Sequence, residues 1–386
     1  MRVKSITLSG FRNYGHETVS FDDDINIITG SNAQGKTNLL EAIYLLTGGK
    51  SFRTRYDREM IGFSVNEAEI SGVAEASGRM HQISVRLVGG RKKQIRQNGV
   101  SKTASELSNA LTAVLFCPED LNMISDGAHV RRKLLDVAVS RLKPVYADLT
   151  AKYARIYEHK TRILRDFREK PSLLKALDEF SDGICRYSSL IIGYRAEYVR
   201  LLKEKAARIH SEVSGTPEKL EIRYRTIGTA EDPTAPADEL YECLRDHMRA
   251  HREAELRCGM CLTGIHKDDL DITVNGKEAR IYASRGQART AAISIKMAER
   301  EICKDAAGEY PILLLDDVLS ELDSSRREYV LSGTSEGQTF ITCCEGESPA
   351  KRTGGKIIEV KNGVIIDGEK RKADVSAFGE KRGGRA

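Results

Sequence analysis

Residues Gly30-Ser31-Asn32-Ala33-Gln34-Gly35-Lys36-Thr37 fit the pattern G-x-x-x-x-G-K-[ST]. The apolar run Ile25 to Thr29 before them reads as a strand, and the stretch from about Lys36 to Leu46 reads as a helix. That context is what the chemistry of the pattern demands. Backbone N–H groups of the loop and of the first helical turn aim at phosphate oxygens, and the helix dipole adds positive charge there. Glycine lets the backbone approach without a side chain in the way. Lys36 can reach β and γ phosphates, while the Thr37 hydroxyl suits Mg2+. Gly30 through Thr37, with Asn38 behind them, are therefore read as an ATP-binding loop.

An acidic partner for this loop stands late in the chain. Pro311-Ile312-Leu313-Leu314-Leu315-Asp316-Asp317 reads as a buried strand ending in two carboxylates. In phosphate-loop ATPases the first such acid holds Mg2+, usually through water, which assigns Asp316 to the metal beside Thr37. The second can polarise the attacking water, which assigns Asp317 as general base and pairs it with Lys36 as the catalytic residues. Two Asp at a strand end also make a good helix cap; the loop upstream decides between the readings. Ser320-Glu321-Leu322-Asp323 follows at once and resembles the D-loop of ABC-type ATPases, which crosses a dimer interface. Ser284-Arg285-Gly286-Gln287 precedes a helical stretch, Ala291 to Glu299. Alone, S-x-G-Q is an ordinary helix start with Ser284 as its cap. In this order it sits where ABC- and SMC-like ATPases carry their signature. That resemblance implies that Ser284, Gly286 and Gln287 face nucleotide bound by the opposite subunit, that Asp323 lies in the dimer loop, and that ATP is sandwiched in a homodimer.

The 386 residues carry a net charge of only +5, but the charge is unevenly spread. From His129 to Lys170 there are twelve Lys and Arg against five Asp and Glu. Arg86 to Lys102 holds six basic residues and no acid. Concentrated positive charge suits a phosphate backbone, which makes Arg91, Lys92, Lys93, Arg131, Arg132 and Lys133 candidate DNA contacts. A solvated helix face and a charged hairpin tip fit the same charges, and charge alone leaves both readings open. The N-terminus reads as a strand with no signal-peptide core, and no apolar run approaches the roughly 18 residues of a membrane span. Eight scattered cysteines then point to reduced thiols and a cytoplasmic setting. Cys258 and Cys261 form a lone C-x-x-C without a second pair; His251 and His266 are not at a finger spacing, so zinc is not the preferred reading.

Residues 66 to 99 look like a strand meander turning at Asn98-Gly99. Leu142, Val145, Leu149, Tyr153 and Ile156 recur at helical steps, as do Ile191, Tyr194, Tyr198, Leu201 and Ile209. A strand, Leu220 to Tyr224, and a Pro/Thr/Ala-rich loop separate these helices from renewed strand and helix alternation near Leu270. The tail from about residue 369 has a disordered composition. The expected fold is α/β: an ABC-type P-loop ATPase head, SMC-like, built from 1–118 and 257–386, with a mainly helical lobe inserted at 119–256 and an uncertain boundary at 213–256.

Further segments extend the likeness along the chain: FRNY (Phe11 to Tyr14), GSNAQGKTNLLEAI (Gly30 to Ile43), KSFR (Lys50 to Arg53), FCPEDL (Phe116 to Leu121), GIHKDDL (Gly264 to Leu270), SRGQARTAAISIKMAE (Ser284 to Glu299) and ILLLDDVLSELD (Ile312 to Asp323). Together they resemble the RecF family of bacterial recombination-mediator ATPases. The resemblance implies ATP-driven dimerisation, weak ATP hydrolysis as a dimer switch, binding of single-stranded, duplex or junction DNA, and work with RecR and RecO in loading recombinase at gaps. By analogy it places Arg12 and Asn13 near the nucleotide; a solvated pair at a strand end fits them equally. Arg285 and Ala288 depart from the commoner S-x-G-Q-Q form. Two alternatives stand beside this reading. A transporter ATPase would carry a His after the next strand, where Phe340-Ile341-Thr342-Cys343 has none. A nuclease could use Asp269-Leu270-Asp271 as a metal-binding D-x-D, but no accompanying cluster of acids is visible and a solvated turn before a strand fits better.

Overall fold

The computed structural model describes residues 1–108, 110–215, 217–228, 230–344 and 354–371. They form two compact units: Met1–Leu121 with the described residues from Glu299 onward, and Asn122–Ala298.

The first unit opens with β1 (Arg2–Phe11), β2 (Tyr14–Ser20), β3 (Ile25–Thr29) and α1 (Lys36–Gly48). β4 (Glu67–Ala76), β5 (Arg79–Val88), β6 (Gln94–Gln97), β7 (Val100–Lys102), α2 (Ala104–Ser108) and β8 (Ala113–Phe116) follow. An antiparallel sheet runs β2-β1-β4-β5-β6-β7. Strand alternation buries one face of it, and a register shift between Val3 and Ser5 resets the phase, so that Val3, Ile6 and Leu8 all join the core. Asn98 and Gly99 both take positive φ, 50° and 81°, which gives the tight β6–β7 turn the twist it needs. α1 buries Leu39, Leu40, Ile43 and Leu46 against this sheet's core and stops at Gly49, whose left-handed backbone lets its N–H bond Leu45 O.

In the second unit, α3 (Ala128–Leu142) and α4 (Pro144–Asp166) are separate helices where the periodicity suggested one. Lys143 is extended, as a residue before proline prefers, and Pro144 starts the new helix at the position that lacks a partner for its N–H anyway. α5 (Leu177–Ser214) is a 38-residue helix; β9 (Leu220–Arg225) and α6 (Ala237–Cys258) come next. α6 buries Leu240, Leu244 and Met248 at four-residue steps. β10 (Asp269–Val274), β11 (Lys277–Glu278), α7 (Ala279–Tyr282) and α8 (Arg285–Ala307) follow, the residues of α8 from Glu299 onward belonging to the first unit. The expected head boundary at residue 257 needs correction. β10 pairs antiparallel with β9 along its whole length, from Asp269 opposite Arg225 to Val274 opposite Leu220, so residues 257–298 pack with the second unit.

The chain then supplies β12 (Ile312–Leu315), α9 (Ser324–Ser332), β13 (Thr339–Cys343), β14 (Gly355–Lys361) and β15 (Val364–Arg371) to the first unit. They build its second sheet, ordered β15-β14-β3-β13-β12-β8, in which every neighbour is parallel except β15. β15 reaches Arg371, past the expected start of the tail; the remaining tail, 372–386, lies outside the described residues. Apolar runs such as Ile312–Leu315 are buried throughout, as a parallel strand covered on both faces requires. The phosphate loop leaves the end of β3, near the centre of this sheet.

Candidate nucleotide site

The loop between β3 and α1 is shaped by what touches it. A side chain at Gly30 (φ 150°) would stand 2.3 Å from Val360 O on β14, and one at Gly35 (φ 123°) would meet the side chains of Asn13 and Tyr14 at about 3 Å. Both glycines are thus required by packing around the loop as well as by access to phosphate. Gln34 is held from three sides: its carbonyl accepts from Asn13 Nδ2 (2.9 Å) and Gly363 N (3.0 Å), and its Oε1 accepts from Asn362 N (2.6 Å). Tyr14 OH donates to Gly35 O (2.8 Å), and Cys344 Sγ donates to Asn32 Oδ1 (3.1 Å). Lys36, nearly buried, donates from Nζ to the carbonyls of Gly30 (2.6 Å) and Ser31 (3.0 Å), so its ammonium sits across the loop. The first N–H groups of α1 have no partner within their own helix and face the same loop.

The acidic strand end meets this loop directly. Thr37 Oγ1 donates to Asp316 Oδ1 at 2.9 Å, joining residues 279 positions apart. Thr342, at the end of β13, donates from its hydroxyl to the same Asp316 oxygen (2.9 Å) and accepts from Asp317 N (2.8 Å). Burial pushes the Asp316 carboxyl above its usual range against these two hydroxyl bonds, with the neighbouring Asp317 adding to the rise. Asp317 takes a left-handed backbone (φ 52°), uncommon for a residue with a side chain and tolerated best by Asn and Asp. Ser320 Oγ donates to its carbonyl at 2.7 Å. Thr37 and Asp316 offer adjacent hard oxygen donors, a set that fits Mg2+.

Two features escaped the sequence. The first is Thr342, which joins the Asp316 carboxylate to the Asp317 backbone N–H where the strand pattern showed only a missing His. The second is Glu41, fully buried in α1. Arg12 donates to it bidentately from Nε and Nη2, both at 2.8 Å, and Ser51 Oγ and Arg53 also approach it. Arg12 Nη1 donates to Glu59 O (2.6 Å), while Asn13 Oδ1 accepts from Asn38 Nδ2 (2.8 Å). Arg12 and Asn13 therefore buttress α1 and the loop. A lone glutamate inside an otherwise apolar helix face was the available signal.

Ser284 lies exposed at the start of α8. It forms a reciprocal capping box with Gln287: Ser284 Oγ accepts from Gln287 N (3.2 Å) and Gln287 Oε1 accepts from Ser284 N (2.9 Å). Asp323 caps α9, its carboxylate accepting from Arg326 N (3.0 Å).

Comparison with known proteins gives the chain a family. Residues 2–362 match the family model described as the RecF/RecN/SMC N terminal domain. The DNA replication and repair protein RecF of Agathobacter rectalis is 38% identical over 344 residues, 89% of this chain and 92% of that protein. The chain belongs to the RecF family. The RecF of Acetivibrio thermocellus is 34% identical over 94% of this chain and 98% of its own length. A solved structure of the recombination mediator protein RecF with ATP, from the RecFOR pathway, superposes with a TM-score of 0.85 at 32% identity, covering 95% of this chain and 97% of its own. The Smc head domain from Pyrococcus furiosus, at 17% identity and a TM-score of 0.55, shares the fold. The ABC-type, SMC-like head with a helical lobe is thus the architecture of this RecF-family chain.

The basic residues divide. Arg91, Lys92, Arg96 and Lys133 are exposed. Lys93 pairs with Asp57 at 2.8 Å, and Arg132 donates to Asp268 O at 2.7 Å. Arg131 corrects the expectation of a DNA contact: it is 3% exposed, and its guanidinium grips Asp269 bidentately (2.7 and 2.9 Å) and the carbonyls of Met123, Ile124 and Asp126. Burial pushes the Asp269 carboxyl up, but Arg131 and the Leu270 N–H outweigh that and hold it below its usual range. Asp271 is paired with Arg225 at 2.9 Å, so both acids of the D-x-D are engaged by arginine. Cys258 and Cys261 each bond nearby carbonyls, and among the described residues no group of three or more His, Cys, Asp or Glu is placed to hold a metal. Among those residues, too, no helix is long and apolar enough to cross a membrane.

Proposed function

We propose that this chain is an ATP-dependent, DNA-binding repair protein that dimerises on ATP and, with RecR- and RecO-type partners, helps load recombinase at single-strand gaps and stalled forks in the cytoplasm, serving recombinational repair, replication and SOS induction. The observation that carries the reading is the Thr37–Asp316–Thr342 linkage, which sets a phosphate loop against an acidic strand end in a chain that matches RecF proteins along nearly its whole length. In this reading Lys36 exchanges the Gly30 and Ser31 carbonyls for phosphate oxygens. Thr37 and Asp316 hold Mg2+, which neutralises phosphate charge when bound. Asp317, its backbone fixed by Thr342, orients the attacking water. Ser284 and Gly286 of a second copy close the site, with Asp323 in the loop between subunits, and slow hydrolysis resets the dimer. Arg91, Lys92, Arg96 and Lys133 supply phosphate contacts to DNA. Light scattering with and without ATP and gapped DNA tests the reading. A doubled mass with ATP, and a further rise with DNA, are expected; a particle that stays monomeric under all conditions would overturn it.

A further inference from the structure

Behind the signature segment lies a polar chain that the nucleotide chemistry does not use. The Gln287 side-chain amide is engaged at both ends. Its Oε1 accepts from Ser284 N, and its Nε2 donates to Glu218 Oε1 at 2.7 Å. Glu218 stands just before β9, and its other oxygen lies 3.3 Å from Nε2 of His210, a wholly buried residue of α5. The second ring nitrogen of His210 faces Ser294 Oγ at 3.5 Å, two turns further along α8, and that hydroxyl donates to Thr290 O. The chain of contacts therefore leaves α8 at its first turn and returns to it at its third. A side chain held in this way has both ends of its amide turned to the protein: Oε1 closes the capping box and Nε2 is directed at a carboxylate.

We propose that Glu218 is a positioning residue for the signature serine: by fixing Gln287 it sets the direction of the Ser284 hydroxyl and of the first N–H groups of α8, and Gln287 acts through Ser284 without touching ATP. This rests on the reading that Ser284 completes a nucleotide site on a second copy. It differs from the expectation that Gln287 itself faces nucleotide. A carboxylate is suited to the task because it accepts strongly from an amide N–H while turning its second oxygen to the imidazole.

The test uses the full chain and ATP. Glu218→Ala should bind ATP as a monomer with unchanged affinity, followed with a fluorescent ATP analogue. Its ATP-dependent dimerisation and turnover should fall about tenfold. Glu218→Gln, which keeps an acceptor oxygen, should retain most of both. Exchange of the pair is the sharper arm. Gln287→Glu sets like charges 2.7 Å apart and should weaken dimerisation about tenfold or more; adding Glu218→Gln reverses donor and acceptor, leaves a glutamate that still serves the capping box, and should restore dimerisation to within about threefold. This arm decides the matter should Glu218→Ala fold poorly by circular dichroism. A double variant no better than Gln287→Glu alone overturns the inference, because a Gln287 that contacts nucleotide would not be rescued from Glu218. Wild-type protein that forms no dimer with ATP overturns the sandwich reading itself, and Lys36→Ala provides the reference for that outcome. Wild-type dimers with Glu218→Ala equal to them within twofold overturn only the role of Glu218.

Discussion

Replacing Arg131 by alanine separates a structural cation from a DNA-binding one. The guanidinium makes five hydrogen bonds, two to the Asp269 carboxylate and three to main-chain carbonyls of 123, 124 and 126. After truncation, Asp269, whose side chain is 10% exposed, keeps the Leu270 N–H and Arg225 at 3.6 Å. Breaking a buried ion pair from one side costs about 3–5 kcal/mol. Arg225 can move closer and water can reach the vacated carbonyls, so the lower end, about 3 kcal/mol, is the expected loss. With a urea m-value of about 2 kcal/mol/M, the second unit should unfold at a midpoint about 1.5 M lower. Arg131→Lys should recover little, since an ammonium cannot reproduce the bidentate grip. At low denaturant, where the variant remains folded, the salt dependence of its DNA binding should equal that of wild type. A stability loss under about 1 kcal/mol, together with a log–log salt slope flatter by about one phosphate, would refute the argument and return Arg131 to the DNA surface.

Asp317→Asn should preserve ATP binding, because Lys36, Thr37 and Asp316 remain, yet slow single-turnover hydrolysis about 100-fold or more; normal turnover would move the general base elsewhere. Arg91→Glu, Lys92→Glu and Arg96→Glu together should flatten the salt slope of duplex binding by about 2 to 3, and an unchanged slope would mean that these charges are only solvated. His266 is held neutral, burial taking it down to about 4 from 6.5, with Tyr153 OH and Cys261 O as ring partners. The unfolded chain takes up its proton below about pH 6.5 and the folded one only near 4, so stability present at pH 7 should fall by about 3 kcal/mol across that window. His266→Asn should flatten the dependence, and urea midpoints at pH 7 and pH 5 that shift equally in both proteins would contradict this.

The candidate nucleotide site was legible because the chemistry proposed for it fixes spacing. Gly30, Gly35, Lys36 and Thr37 must stand in one order on one loop, and Asp316 must end a buried strand. What the sequence withheld depends on contacts between distant positions. Arg12 and Glu41 are 29 residues apart with no period linking them, yet they form a bidentate pair. A run of basic residues reads the same whether its members are solvated, like Lys133, or interior, like Arg131. Pro144 was visible, but the apolar steps from Leu142 to Ile156 continue through it, and only the extended Lys143 reveals the break. The unit boundary was misplaced because strand pairing between β9 and β10, rather than the order of motifs, decides which residues pack together.

Synthesis runs from the N-terminus, and this fold makes the phosphate loop wait for the end. β3, which delivers the loop, emerges early, but both of its ladder neighbours, β13 and β14, come from the far end of the chain. The bonds that hold Gln34 come partly from Asn362 and Gly363, beyond β14, and Gly30 is shaped by Val360. Until those residues leave the ribosome, the loop has neither its sheet nor its clamps, and the long-range pairing makes this sheet slow to close. A nascent or C-terminally truncated chain therefore carries the phosphate-binding sequence without a phosphate-binding shape, so the ability to hold nucleotide itself marks a molecule whose translation is complete to the last strands of the sheet.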